Sequence, residues 1–296
     1  MRSLPSSRGS SPNARRTTDL QLRDRPDRAQ LVATLRMAGC VFAEDEADVL
    51  LTCARTPNDL ERMVLRRVSG VPLEQIVGWA EFAGLRIAVE PGVFVPRRRT
   101  ELLLQQALLL APPQPVVVEL CCGSAALSLA LASTHRHVEL YVSDIDPAAI
   151  RCARRNLAHL PAGAGVFQGD LYEPLPPPLA GRVDLLLANP PYVPTGAIAL
   201  MPPEARLYEP WVALDGGLDG LDVQRRIAAG APRWLAPDGR LLVETSRKQA
   251  AGSVAVFERA GLAAEVVTSD DLEATVVIGC LPPAHQLGKK SAGRRH

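Results

Sequence analysis

The sequence predicts an α/β protein: a doubly wound, mostly parallel sheet preceded by a small helical domain. Three observations predict it. From about Thr100 to Cys280, short apolar runs alternate with amphipathic segments, as in strands joined by helical crossovers. Acidic or polar residues stand at the carboxyl ends of successive runs, where open α/β sheets bind ligands. Upstream, from about Arg25 to Gly70, the apolar residues recur at helical spacing.

Each element has its own signal. Residues 1–24, "MRSLPSSRGSSPNARRTT" and beyond, are rich in Ser, Arg and Pro without an apolar core, and are expected to be a disordered basic extension rather than a secretory signal. Residues 25–75 form the expected helical domain, with Leu31, Leu35 and Ala38, then Val49, Leu50 and Cys53, then Leu60, Val64 and Val68 on apolar stripes. Asp27 and Asn58 are expected N-caps, and Gly39 and Gly70 expected stops. Residues 76–98 contain "EFAGLRIAVEPGVFVP", which alternates and breaks like a hairpin and is expected to be a linker. Residues 99–282 then carry strands "PVVVEL", "HVELYVSD", "AGVFQGD", "RVDLLLA" and "GRLLVET", with helices between them. Two closing strands, "AAEVVTS" and "ATVVIGC", suit an antiparallel edge hairpin. Residues 283–296 are an expected disordered basic tail.

Bulk properties exclude several classes. The 296 residues suffice for one large or two ordinary domains, and 47% hydrophobic with 22% charged residues is typical of a globular protein. The formal net charge of +1 gives no drive toward nucleic acid, so tight nucleic-acid binding is not expected. The nearest apolar stretch, "ELLLQQALLLA", is broken by Gln105 and Gln106, so no membrane span is expected. Six cysteines without a C-x-x-C pair read as reduced residues, giving an expected cytoplasmic protein with no metal site. A monomer is expected.

Four strand ends carry the chemistry. In "VVVELCCGSAALSLALA", Glu119 ends a strand and Cys121, Gly123, Ser124 and Ala125 form a small-residue turn into a helix, where backbone N–H groups face an anion. The turn is no full G-x-G-x-x-G, which disfavours a dinucleotide pyrophosphate. In "YVSDIDP", Asp146 fits the cap of the helix opening at Pro147, which leaves Asp144 for ribose hydroxyls. In "FQGDLYEP", Asp170 can accept from an exocyclic adenine amine while Leu171 or Tyr172 packs on the ring, and an ordinary turn aspartate competes with that reading. In "LLLANPPYV", Pro190 and Pro191 lack N–H groups and stop the strand at Asn189 on a stiff backbone. Together the four describe a nucleoside-containing ligand across the strand ends, with Asn189 beside its reactive end.

In order, these motifs resemble class I S-adenosylmethionine-dependent methyltransferases, with their Rossmann-like sheet. NPPY resembles the branch that methylates planar amide or amine nitrogens. "GVPLEQIVGWAEFAGLRIAVEPGVFVPRRRTELLLQQAL", "RLYEPWVALDGGLDGL" and "LAPDGRLLVE" are similar to segments of the HemK/PrmC protein-glutamine methyltransferases, so the resemblance runs from about Asp27 to Cys280. It implies S-adenosyl-L-methionine as cofactor, bound by Glu119, Cys121, Gly123, Ser124, Ala125, Asp144, Asp170, Leu171 and Asn189. It implies a protein partner as substrate, the Gly-Gly-Gln glutamine of a class-1 peptide chain release factor. Asn189, Pro190, Pro191 and Tyr192 would bind that glutamine, and Asn189, Pro190 and Tyr192 would be catalytic. The Asn189 side chain and the Pro190 carbonyl would accept from its amide N–H groups, Tyr192 would pack on the flat amide, and positioning would supply most of the catalysis.

The sequence departs from the family in places. Only Gly123 remains of the usual "GTGSG" turn, and "PRPET" stands as "PRRRTE", putting Arg98 and Arg99 where a proline and an acid are usual. After "LLVE" the usual "HG…QG" reads "TSRKQAAG". These departures motivate other readings: another protein glutamine, as on a ribosomal protein; an adenine amino group; or a homologue that binds cofactor or partner without turnover.

Overall fold

Helical stripes and buried strands sort the chain into two compact units that meet between Val77 and Gly78. This is a computed structural model, and it describes residues 27–135, 137–160 and 163–281. The expected basic extension (1–24) and basic tail (283–296) lie outside the described residues.

The first unit contains helices α1 (Arg28–Met37), α2 (Ala43–Cys53), α3 (Pro57–Val68) and the short α4 (Leu73–Val77). Leu31, Leu35, Ala47, Leu50, Leu60 and Met63 close one apolar core. A buried pair crosses that core: Arg67 donates from Nε to Glu46 at 2.6 Å. The caps differ from expectation. Asn58 lies inside α3; the cap is Thr56, whose hydroxyl accepts from Asp59 N–H at 3.1 Å with Pro57 at the first helical position. Asp27 occupies the cap position of α1 without a side-chain bond. Gly39 and Gly70 follow helix ends with φ of 91° and 94°.

The second unit opens with the antiparallel hairpin β1 (Trp79–Phe82) and β2 (Leu85–Ala88). Expected as a linker, it belongs to this unit. Asn156 holds it: its Oδ1 accepts from Ala88 N–H at 2.9 Å, and its Nδ2 donates to Ala88 O at 3.0 Å. Seven strands follow: β3 (Val116–Leu120), β4 (Glu139–Asp144), β5 (Gly165–Gln168), β6 (Val183–Ala188), β7 (Leu235–Thr245), β8 (Ala263–Ser269) and β9 (Ala274–Cys280). Their spatial order is β5-β4-β3-β6-β7-β9-β8, with β5 through β7 parallel and β9 antiparallel to both neighbours. The last two strands do pair with each other. They form the edge hairpin, with β9 between β7 and β8 and β8 outermost. The seven residues of β9, six of them buried, fit an interior place better than the more exposed β8.

Alternation along the strands serves two faces. Val117, Leu140, Val142, Leu185, Leu187 and Leu242 pack with α5 (Glu101–Leu110), α6 (Ala126–Thr134) and α7 (Pro147–Leu157). Val118, Leu120, Leu186, Leu241 and Val243 pack with α9 (Asp222–Trp234) and α10 (Ala250–Arg259), a short α8 (Pro203–Tyr208) lying between β6 and α9 in the chain. Each fully buried side chain such as Phe257 or Leu103 contributes about 1.5–3 kcal/mol.

The chain leaves β3 toward β4 and β5, then crosses back to place β6 on the other side of β3. The crevice at such a reversal is where doubly wound sheets take ligands. Here Leu120 of β3 pairs with Ala188 of β6, so the Cys121–Ala125 turn and Asn189 leave the sheet side by side.

Candidate active site

The turn after β3 is built from strained residues. Cys121, Gly123 and Ala125 have φ of 54°, 53° and 58°, a region that favours glycine, yet two of the three carry a Cβ. Ala125 N–H donates to Cys122 O at 2.7 Å, and Cys122 N–H to Ser143 O at 3.1 Å, which closes the turn onto β4. Ser124 is buried, and its carbonyl accepts from Asn156 Nδ2 at 2.8 Å. Burial, with nearby Asp144 and Asp170, pushes the Cys121 thiol well up, so it stays protonated.

The three acidic candidates have separate environments. Asp144 is not left free: its carboxylate accepts from Gly123 N–H at 2.8 Å and Asp146 N–H at 2.9 Å, which ties the turn to the end of β4. It stays half-exposed, with acceptor capacity remaining on both oxygens. Asp146 caps α7, accepting from Ala148 N–H at 2.8 Å, as expected. Asp170 is half-exposed and pairs with Arg226 at 2.6 Å. Glu119 differs from expectation. It lies on the α6 face of β3, 4% exposed, and accepts from the N–H (3.1 Å) and hydroxyl of Ser128. Burial pushes its carboxyl up to about 8 against those bonds, so it anchors α6 under the turn rather than facing the crevice. Tyr172 also turns away, stacked on Trp234 at 5.7 Å and donating to Ile227 O at 2.6 Å. Leu171 is buried at φ 49°, and its carbonyl accepts from the Ser143 hydroxyl at 2.8 Å.

These residues fit a nucleoside-bearing cofactor. A Cβ built on Gly123 would meet nothing within 4 Å, so the turn is an open cradle, flanked by the two half-exposed aspartates.

The NPPY end of β6 is held from several sides. Asn189 Nδ2 donates to Thr100 Oγ1 at 3.2 Å, which leaves Oδ1 as its unbound end. Neither Asn189 Oδ1 nor the Pro190 carbonyl accepts a hydrogen bond from the described residues. Pro190 and Pro191 are buried. Beyond them, Val193 N–H donates to Leu214 O at 3.0 Å and Gly216 N–H to Val193 O at 2.9 Å. Gln249 Nε2 bridges Tyr192 O (2.9 Å) and Asp219 O (3.0 Å). A Cβ on Gly220, at φ 77°, would sit 2.2 Å from Tyr192 O. So the "EPWVALDGGLDG" segment is the backbone brace of NPPY.

Charges surround Tyr192. The Arg99 guanidinium lies 6.0 Å from its ring centroid. Arg97 pairs with the buried Glu209, and Arg99 Nε lies 3.4 Å from Oε1 of the buried Glu244. Burial first, then the Glu244 charge, pushes the Tyr192 phenol up to about 12, so it stays neutral. Thr100, Arg97, Glu209, Glu244 and Gln249 were not among the sequence candidates. Glu244 offered the same signal as Asp144, an acid at the carboxyl end of a strand.

Comparison with known proteins decides the family. Residues 84–201 match the methyltransferase small domain. The chain is 39% identical over 199 residues to the release factor glutamine methyltransferase of Geobacter sulfurreducens, covering 67% of this chain and 69% of that protein. It is 40% identical over 214 residues to the protein of that name from Mycolicibacterium smegmatis, covering 72% and 75%. The chain belongs to the release factor glutamine methyltransferase family. The chain is also 35% identical over 257 residues to the 4-amino-L-phenylalanine/4-methylamino-L-phenylalanine methyltransferase of Streptomyces pristinaespiralis, covering 83% and 86%. A methyltransferase from Pyrococcus furiosus shares the fold, with a TM-score of 0.51 at 14% identity, covering 74% of this chain and 96% of that one. The chain is accordingly a methyltransferase, and its cofactor is S-adenosylmethionine.

Proposed function

We propose that this protein methylates the side-chain amide nitrogen of a protein glutamine, the Gly-Gly-Gln glutamine of a peptide chain release factor. The observation that carries the proposal is the pair of adjacent acceptors, Asn189 Oδ1 and Pro190 O, neither bonded among the described residues. A primary amide presents two N–H donors, and two fixed acceptors hold its nitrogen in one orientation. The cofactor supplies an electrophilic methyl group on a sulfonium. Cys121 to Ala125, Asp144 and Asp170 would hold it, with Leu171 beside them and Glu119 acting beneath the turn through Ser128. Pro191 stiffens the approach, and the neutral Tyr192 ring provides a flat wall for the amide. We place the protein in the cytoplasm as a monomer that does not bind nucleic acid tightly; among the described residues no helix is long and apolar enough to cross a membrane.

A second reading is favoured by the coverage of the Streptomyces pristinaespiralis relative, the greatest among the three relatives compared. An aromatic amine is also planar at nitrogen and also has two N–H donors. The test is transfer of radiolabelled methyl to an unmethylated class-1 release factor, to the same factor with that glutamine replaced, and to 4-amino-L-phenylalanine. Label in the first alone supports the proposal. Label in the third alone overturns it in favour of the small amine.

A further inference from the structure

The least explained polar group near NPPY is Glu244. It closes β7 at 1% exposure, and neither carboxylate oxygen makes a hydrogen bond. Its charged neighbour is Arg99, with Nε at 3.4 Å, and the Thr100 hydroxyl lies beside it. Among the described residues no other charge acts on it. Tyr192 is the titratable group beside it, Arg97 and Glu209 lie further out around Tyr192, and β9 places Val276 opposite it. A buried carboxylate without hydrogen bonds is costly to keep, so a role beyond packing is expected of it.

Thr100 joins this carboxylate to the proposed catalytic asparagine. Thr100 Oγ1 already accepts from Asn189 Nδ2 at 3.2 Å. Its own proton therefore points elsewhere, and the neighbouring acceptor is Glu244. An ionised carboxylate can only accept, so it keeps the Thr100 proton on its own side and Oγ1 open to Asn189. A protonated acid, or an amide in its place, can donate to Oγ1 and release the Thr100 proton to turn toward Asn189, where that proton favours Oδ1 over Nδ2. Asn189 is then free to turn over and present NH2 where Oδ1 should be. An amide acceptor would meet a donor, and the orientation of its nitrogen would be lost.

We infer that Glu244 is a positioning residue: as a carboxylate it sets the direction of hydrogen bonding through Thr100, so that Asn189 presents Oδ1 to the acceptor nitrogen. The inference rests on the glutamine-methylation reading only for which nitrogen is presented; the asparagine orientation itself is observable without any acceptor. Burial raises the Glu244 carboxyl above the usual glutamate range, with Arg99 opposing, so acidification disarms the relay before ordinary surface acids titrate.

The experiment has two arms on the full chain. The first follows the Asn189 side-chain amide by NMR with selectively labelled asparagine, practical because the sequence contains four asparagines. Wild type should show one Asn189 orientation at neutral pH. Glu244→Gln and Thr100→Val should each perturb the resonance, and Glu244→Asp should restore it. The second arm measures kcat against pH on whichever acceptor takes label. Glu244→Gln should lower kcat about tenfold, the equivalent of about 1.4 kcal/mol, with KM for cofactor unchanged, and the acidic limb seen in wild type should disappear. An unperturbed Asn189 resonance in Glu244→Gln overturns the inference, as does an acidic limb that persists in that variant. Absence of label in every acceptor, with the NMR arm as expected, sinks the glutamine reading and leaves the orientation relay standing.

Discussion

At Asn189 one side chain divides its two ends between the protein and the proposed substrate. Nδ2 is anchored on Thr100 and Oδ1 is left to accept. Asn189→Ala should therefore lower kcat by about 100-fold or more, in the range for a lost positioning group. The melting temperature should stay close to that of wild type, because the side chain is only half-buried. Turnover near wild type would remove Asn189 from the mechanism. Glu119 makes a different prediction, about stability. Its folded-state carboxyl, near 8, lies above the unfolded value, so the group stabilises fully below about pH 4.5 and loses that contribution as pH rises through about 8. Glu119→Gln removes the titration. The difference in unfolding free energy between wild type and variant should change by up to about 1.4 kcal/mol per pH unit across that window, moving in favour of the variant as pH rises. A flat difference from pH 4 to 8 would show that Glu119 does not titrate there.

At the scale of elements, the cofactor turn and the brace behind NPPY are the parts that backbone geometry governs. Cys121 and Ala125 hold left-handed conformations at about 1–2 kcal/mol each, while a glycine there loses about 0.5–1 kcal/mol through its freer unfolded chain. Cys121→Gly should thus raise stability by about 0.5 kcal/mol, read as a higher urea midpoint; a lower midpoint would mean that the thiol's packing outweighs the strain. Gly220→Ala should act in the opposite direction. Its new methyl would meet Tyr192 O and the Gln249 amide, so activity should fall at least about tenfold along with stability, both read on one preparation. Unchanged activity would show that the brace is not needed to hold NPPY. These elements were unequally legible in the sequence. Strand β6 and its proline stop, the Asp146 cap and the alternation of strands and helices follow from local rules, and each is present. The orientation of Glu119 and Tyr172 was not legible, because a strand end leaves open which face a side chain takes, and the packing of α6 and Trp234 decides it. Gln249 was hidden because its two partners, Tyr192 and Asp219, are 57 and 30 residues away.

For the whole molecule, the two units each have their own apolar core, one around Leu35 and Leu50 and the others on the two faces of the large sheet. A chain beginning at Gly78 should therefore fold and bind S-adenosylmethionine within about threefold of the full chain, measured by calorimetry. Loss of cofactor binding would show that the helical unit is needed to complete the second. The helical periodicity legible in the sequence ends at Gly70, and the short α4 (Leu73–Val77) stands between it and the hairpin. The hairpin's tie to Asn156 spans 68 residues, beyond the reach of local sequence rules.

The place of β9 bears on how the protein is made. A ribosome delivers the strands in chain order, and the ninth must slide between two already made. Until it does, β7 presents an open, apolar margin next to Glu244, and β8 has no strand to pair with. The active site thus stays unfinished through nearly all of translation. A nascent chain halted short of Ala274 would be an aggregation-prone product, so a premature stop before that residue should yield insoluble protein rather than a weakened enzyme.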